Sequence, residues 1–465
     1  MKKLNTEISL RIKNNTNFTQ PVEIFSAISN NNFSNNTNSI YTWDLTTENY
    51  IGSYNVTILI SNTSNPTPVY YSIALVGNNI QSVVDALNSL NQGLFQYSGT
   101  TIYVSNNYYI YGALEVVSTI FTSVWNTNNT SGGSSTSTQI QLPLDSLGIY
   151  NFVVNWGDGS QNTITVWNQA QTLHTYAVAG TYTITITGTI TGFRFNNTGD
   201  RNKLLSISNW GNLNLGNSAS YFHGCTNLNL SSVVGVLDLN GTTYLSAMFL
   251  NCSSLTTINN VNQWNVSAVL DMSNLFTNCI LFNDNLSNWN TSSVNSMSTL
   301  FSGCTLFNNP LNSWNVSNVI SMSGMFLSAT AFNQPLNSWN VSNVLYFNLM
   351  FRSAIAFNQN IGNWNVISSQ NMDSMFYSAT AFNQNIGGWN IKNVTNFSNF
   401  MFNKTDLDYS ATNLNAIYNG WSLLTVVPNL LNVNFGTIKY TIAGQSGKNI
   451  LTGAPNNWTI IDGGI

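Results

Sequence analysis

Charge is what this sequence has least of. Lys, Arg, Asp and Glu together make up 6% of its 465 residues, where about 25% is usual. The formal net charge is -4 and no Lys/Arg cluster occurs, so nothing steers a polyanion and nucleic acid is not expected as a partner. Two histidines, four cysteines and 16 scattered acids leave little material for catalysis or metal binding. No GxSxG, HExxH or P-loop pattern is present. No apolar run reaches 18 residues, so no membrane-spanning helix is expected. At the start, Asn5, Thr6 and Glu7 stand where the apolar stretch of a secretory signal belongs, and standard secretion is not expected.

What fills the chain instead is amide and aromatic. Asn accounts for about 80 residues, apolar residues for 43% and aromatics for 12%. Polarity without charge is common in disordered chains, but those are poor in aromatic and β-branched residues; this chain is rich in both, so it folds, and mainly as β structure. Its length suits about three domains of roughly 150 residues.

Residues 1–125 read as a β-rich domain, with alternation at Ile8-Leu10-Ile12, Tyr54-Val56-Ile58-Ile60 and Ile102-Val104 and one amphipathic helix from Ser82 to Gly93. The stretch 126–139, rich in Ser, Thr, Asn and Gly, has the composition of a flexible linker. Residues 140–195 contain two alternating segments around Trp156-Gly157-Asp158-Gly159. Asp158 can bond backbone two residues on and Gly159 can take a positive φ, which predicts a small antiparallel β-sandwich.

Beyond that point the sequence repeats every 25 residues. Trp264, Trp289, Trp314, Trp339, Trp364 and Trp389 are each followed by Asn: Asn265, Asn290, Asn315, Asn340, Asn365 and Asn390. Phe276, Phe301, Phe326, Phe351 and Phe376 keep the same phase, as do Phe282, Phe307, Phe332, Phe357 and Phe382, each followed by Asn. Units this short bury their apolar faces only by stacking, so the Trp and Phe rows are expected to form the core of a solenoid. Both Asn rows, after Trp and after the second Phe, are expected inside the bends, as amides bonded within their own coil and to the next.

Two resemblances follow. The turn WGDGS with the later HTYAVAGTYT (His174–Thr183) resembles the PKD (polycystic-kidney-disease) domain, which implies a spacer module of extracellular and virion-surface proteins. The unit WNVSNVISMSGMFLSATAFNQ (Trp314–Gln334) resembles the bacterial surface-protein repeat related to BspA-like leucine-rich repeats. That resemblance implies a leucine-rich-repeat-like solenoid over 196–402, a C-terminal cap over 403–465, and a role in surface adhesion. Units at Phe222–Cys225 and Phe249–Cys252 start the array in this frame.

Cys225, Cys252, Cys279 and Cys304 stand three residues after the repeat Phe, where later units have Ala329, Ala354 and Ala379. That is a small buried slot, which favours reduced packing cysteines. Adjacent coils about 5 Å apart would also allow disulfides, while zinc fits the spacing poorly. Asp158 alone falls short of a Ca²⁺ site. No cofactor is expected. A ligand face, if built on the array, should use positions that vary between units: Tyr346, Arg352, Tyr377 and Lys392. The resulting expectation is a non-enzymatic virion surface protein: a phage fibre, spike or capsid decoration. Residues 1–125 would bind other virion proteins, the solenoid would face a host or environmental glycan or receptor, and homo-oligomerisation stays open. Its alternatives are a bacterial cell-surface adhesin and a purely structural particle component.

Overall fold

The computed structural model describes residues 119–465 in full and, between 11 and 118, the backbone of nine strands. The chain forms two units, Met1–Phe121 and Thr122–Ile465, and the described parts are mainly β with two α-helices. In the first unit the strands are β1 (Arg11–Ile12), β2 (Val22–Glu23), β3 (Thr42–Asp44), β4 (Ser53–Asn62), β5 (Asn65–Val76), β6 (Phe95–Ser98), β7 (Thr101–Val104), β8 (Tyr108–Ile110) and β9 (Glu115–Ser118). One sheet runs β2-β1-β9-β4-β5 with β8 added to β4; the other runs β3-β7-β6. The alternating segments 54–60 and 102–104 fall in β4 and β7. The helix expected over 82–93 lies outside the described residues, as do Ile8 and Leu10.

The second unit opens with β10 (Phe121–Asn126), β11 (Gln139–Gln141), β12 (Leu144–Asn155), β13 (Gln161–Ile164), β14 (Leu173–Thr175), β15 (Thr181–Phe193), β16 (Leu204–Asn209) and β17 (Leu213–Asn214). Its main sheet runs β13-β12-β15-β10-β16, with β17 parallel to β15, and β11 pairs with β14 apart from it. Alternation puts Phe152, Val154, Ile184, Ile186 and Ile190 in the core around Trp125 and Trp156.

This sheet corrects two expected boundaries. A domain ending at 125 would lose β10, which pairs with β16 through Thr122↔Asn209 and Ser123↔Ile207. A division at 195/196 would cut a continuous stack, because Phe195 and Asn196 donate their N–H groups to Tyr221 and Ser220 of the next coil, and Phe193 packs 6.0 Å from Phe222. Strand β15 thus runs directly into the first rung of the repeat.

Nor is 126–139 a flexible linker. Fully buried Lys203 donates from Nζ to the carbonyls of Ser135, Thr136 and Gln139 at 2.7–3.0 Å and to Ser135 Oγ at 2.7 Å. Its ion-pair partner Asp200, at 3.3 Å, accepts from Ser135 N, Ser135 Oγ and Gln141 N at 2.6–2.7 Å. A segment poor in apolar side chains has no core of its own, yet every backbone group it buries must find a partner; these two side chains supply several of them, and Gly180 and Tyr176 bond Thr127 and Thr138 at its ends.

From Tyr221 to Lys404 successive units stack in parallel. Leu245, Ala247, Phe249 and Asn251 donate to the carbonyls of Asp271, Ser273, Leu275 and Thr277 at 2.8–2.9 Å, and Met322, Gly324, Phe326 and Ser328 repeat the pattern on Tyr346, Asn348, Met350 and Arg352. Sending alternate N–H groups to the next coil needs two left-handed residues per unit, four apart: Ala247 and Asn251, Asn274 and Asn278, Leu349 and Ser353. Left-handed φ is unusual for Leu, and Leu349 holds it between two coils that fix its neighbours' hydrogen bonds.

The core rows are the Trp and Phe rows. Phe276, Phe301, Phe326, Phe351 and Phe376 stack at 5.7–5.9 Å, and the Phe282 row at 6.0–6.1 Å. Within a unit the two Phe rings lie 3.9–4.1 Å apart. Each Trp is buried at 0–4% exposure, and all but Trp264, whose Nε1 has no acceptor, also carry a polar link. Trp289, Trp314, Trp339, Trp364 and Trp389 donate Nε1–H to the carbonyls of Val261, Leu286, Leu311, Leu336 and Ile361 in the preceding coil at 2.8–3.1 Å.

The Asn row after Trp is not the expected buried ladder. Asn265, Asn290, Asn315, Asn340 and Asn365 are exposed and Asn390 is half-buried. Each accepts, at 3.1–3.3 Å, the N–H two residues on in its own coil. These are Asx turns, which end a segment without joining coils. The inter-coil amide ladder is the row after the second Phe. Asn283, Asn308, Asn333 and Asn358 accept at Oδ1 from the N–H of Asn308, Asn333, Asn358 and Asn383 at 2.9–3.0 Å. Gln334, Gln359 and Gln384 add side-chain bonds across the same steps.

A cap closes the array. Tyr409 packs 6.3 Å from Phe382, and Ser410 N and Asn413 Nδ2 complete the ladder on Asn383. Helix α1 (Ala411–Ser422) starts at Ser410, whose side chain accepts the N–H of Asn413, and buries Leu414, Ile417, Tyr418 and Trp421. Helix α2 (Ile442–Thr452) packs on it, with Gly447 so close to Tyr418 that a Cβ would lie 2.5 Å from the carbonyl oxygen. Strands β18 (Asn432–Asn434) and β19 (Thr459–Ile461) pair in parallel beside it.

Candidate functional site

Among the described residues, clusters of chemistry-bearing side chains outside the array are few. At the turn after β12, Asp158 Oδ2 lies 2.8 Å from His174 Nε2, and His174 stacks on Trp156 at 4.7 Å. Ser160 Oγ is 3.5 Å from the same Nε2. A Ser-His-Asp triad needs the acid and the hydroxyl on opposite ring nitrogens; here both face one. Burial disfavours the Asp158 carboxylate, but hydrogen bonds from the Ser160 hydroxyl, from His174 and from the Ser160 N–H, with the attraction of His174, outweigh it and hold its pKa near about 2. The group is a turn lock: Asp158 Oδ1 accepts Ser160 N at 2.9 Å, and Gly157 and Gly159 have φ of 84° and 92°.

The four cysteines are free and buried. Cys252, Cys279 and Cys304 point Sγ at the carbonyls of Phe222, Phe249 and Phe276 in the preceding unit at 2.9–3.1 Å. Burial pushes their thiols well up, so they are poor nucleophiles. One step past Ala379 the same slot holds Lys404, fully buried, with Nζ on the carbonyls of Ala379 and Thr380. Burial lowers its pKa to about 8 against the pull of Asp408. In the cap, Lys448 pairs with Asp462 at 2.7 Å, over the rings of Tyr440 and Tyr418, and Tyr418 Oη donates to Asp462. Among the described residues no three His, Cys, Asp or Glu side chains converge as metal ligands, and no helix is long and apolar enough to cross a membrane.

The array's outward positions are the remaining candidates. Tyr346 is 39% exposed in the bridged row of Asp271, Ser296, Ser321 and Asn371. Arg352 and Tyr377 come together in a neighbouring row, the guanidinium 4.3 Å from the ring centroid. Lys392 stands apart from them, in the Asx turn after Trp389. Phe402, 39% exposed and 5.0 Å from Tyr377, belongs with the pair and was not among the sequence candidates. Its place 25 residues after Tyr377 was the available signal.

Residues 192–295, 243–357 and 315–416 match the family model described as "Mycoplasma protein of unknown function, DUF285". The array is similar to that family. The DUF285 matches overlap and step along the chain, as they would for a model longer than one unit, and the first begins at the end of β15, where stacking starts. No curated protein and no solved structure matches the chain.

Proposed function

We propose that this chain is a non-enzymatic surface protein in which a leucine-rich-repeat-like solenoid, preceded by a PKD-like β-sandwich, presents a ligand face to host or environmental glycans. The observation that carries the reading is the division of labour within each unit. Inward Trp, Phe and Cys/Ala positions are fixed by stacking, while outward positions such as 346, 352, 377 and 402 change freely from coil to coil. A scaffold of that kind varies its face at little cost to its core. Its placement on this reading is a virion surface, as fibre, spike or capsid decoration, with residues 1–125 joining other virion proteins. The DUF285 match, to proteins described from mycoplasma, favours a second placement, a bacterial cell-surface adhesin of BspA-like type.

The test is glycan-array binding by the full chain, together with antibody labelling of purified virions and of intact bacteria. Binding to a defined glycan class, with label on one of the two surfaces, is the expected result. A chain that binds no glycan at all overturns the ligand-presenting role in favour of a purely structural component.

A further inference from the structure

One outward row changes character along the array. Where earlier units carry Leu250, Thr277, Ser302 and Leu327, the last three carry Arg352, Tyr377 and Phe402. These are stacked neighbours, with Arg352 Cζ 4.3 Å above the Tyr377 ring and Tyr377 5.0 Å from Phe402. The described ion pairs involve His174, Arg194, Lys203 and Lys448, so Arg352 has no carboxylate within ion-pair distance among the described residues. Asp373 feels its charge without pairing, which leaves the fork of N–H donors unspent. On a surface made of amides and hydroxyls, this is a half-exposed guanidinium held over a ring, with a second ring beside it.

We infer that Arg352, Tyr377 and Phe402 form a binding site for an anionic sugar, the guanidinium taking its carboxylate or sulfate, the exposed Phe402 ring its CH-bearing face, and Tyr377 holding the other two in place. A planar guanidinium matches either oxyanion with two parallel hydrogen bonds. Tyr377 stacking pre-orders the side chain, so less rotamer freedom is lost on binding. The site deepens the glycan-presenting role proposed above and rests on it.

Titration of the full chain with oligogalacturonate, with a sulfated galactan fragment and with the neutral galactan fragment tests the inference. Binding of one or both anionic probes is expected, the carboxylated and sulfated arms telling which oxyanion the site prefers, with weakening as salt rises. Arg352→Gln and Phe402→Ala should each weaken that binding at least tenfold, Arg352→Lys less, while the urea midpoint of Arg352→Gln stays at the wild-type value. Equal binding of the anionic probes by wild type and Arg352→Gln overturns the site, as does binding of the neutral probe alone; both leave the glycan-presenting role standing. Absence of binding to every probe and to the whole array removes the role along with the site.

Discussion

Between Thr127 and Gln139 the chain is tied at its ends to Gly180 and Tyr176 and in between mainly by two side chains distant in sequence, Lys203 and Asp200, whereas between Tyr221 and Lys404 it is fixed by rows in which each unit repeats what its neighbour does. The first kind of order is concentrated: one buried ion pair makes six hydrogen bonds to Ser135, Thr136 and Gln139 of a segment with no core. The second is distributed, so that a lesion at one rung leaves the others intact. Sensitivity to single substitutions should therefore differ sharply between the two.

The largest effect is expected at the ion pair. Lys203→Met leaves Asp200 buried without its cation, and removing one partner of such a pair costs about 3–5 kcal/mol. Chemical denaturation should show the loss, and limited proteolysis should open the chain between residues 127 and 139. An unchanged midpoint with an uncut segment would mean that the segment is held by something other than this pair.

The two regions also differ in how far they could be read in advance. Periodicity exposes the Trp and Phe rows because five residues in phase have one physical explanation, a shared core. It does not say which of two Asn rows joins the coils. The clue lay in the local motif: in Asn340-Val341-Ser342 the amide has an N–H two residues on to accept, the mark of an Asx turn, whereas Asn333-Gln334 sets two amides side by side for the next coil. Lys404 falls 25 residues after Ala379 and could be placed in the Cys/Ala slot by counting. Nothing local announces that Lys203 holds Ser135, because the contact spans 68 residues and the segment's own composition points the other way. The Arg352–Tyr377–Phe402 row was legible only in part, since the Phe row that marks the frame ends at Phe376 and Met401 takes its place before Phe402.

Lys404 brings a concentrated feature into the distributed region and has a pH signature. Its amine has a folded pKa of about 8, below the ordinary lysine value of 10.5, so between those values the unfolded chain binds more protons and stability rises with pH. The cost of burying the cation is fully present below about pH 8. A shift of that size corresponds to about 3 kcal/mol. Comparing wild type with Lys404→Met isolates it from tyrosine ionisation: the stability of wild type relative to the variant should increase from pH 8 to 10, and a constant difference would place the charge elsewhere.

Within the array, the indole ladder sets the next scale. Trp339→Phe removes the donor to Leu311 and part of a buried ring, for about 2 kcal/mol. Trp264 is as buried, but its Nε1 has no acceptor in the protein, so Trp264→Phe should cost about 1 kcal/mol less. Equal losses at the two positions would show that ring packing alone, without the inter-coil bond, holds the row.

The smallest effect separates the two Asn rows. Asn333 Oδ1 accepts from Asn358 N at 2.9 Å and Gln359 Nε2 at 3.0 Å in the next coil, so Asn333→Ala breaks a link between units. Both partners are partly accessible to water, which limits the loss to about 1 kcal/mol. Asn340 accepts a single bond, at 3.2 Å, from Ser342 in its own exposed turn; Asn340→Ala should change stability by less than about 0.5 kcal/mol. Urea midpoints of the two variants, measured side by side, rank the rows. A larger loss at Asn340 would return the row after Trp to the role of inter-coil ladder and would remove the Asx-turn account of its exposure.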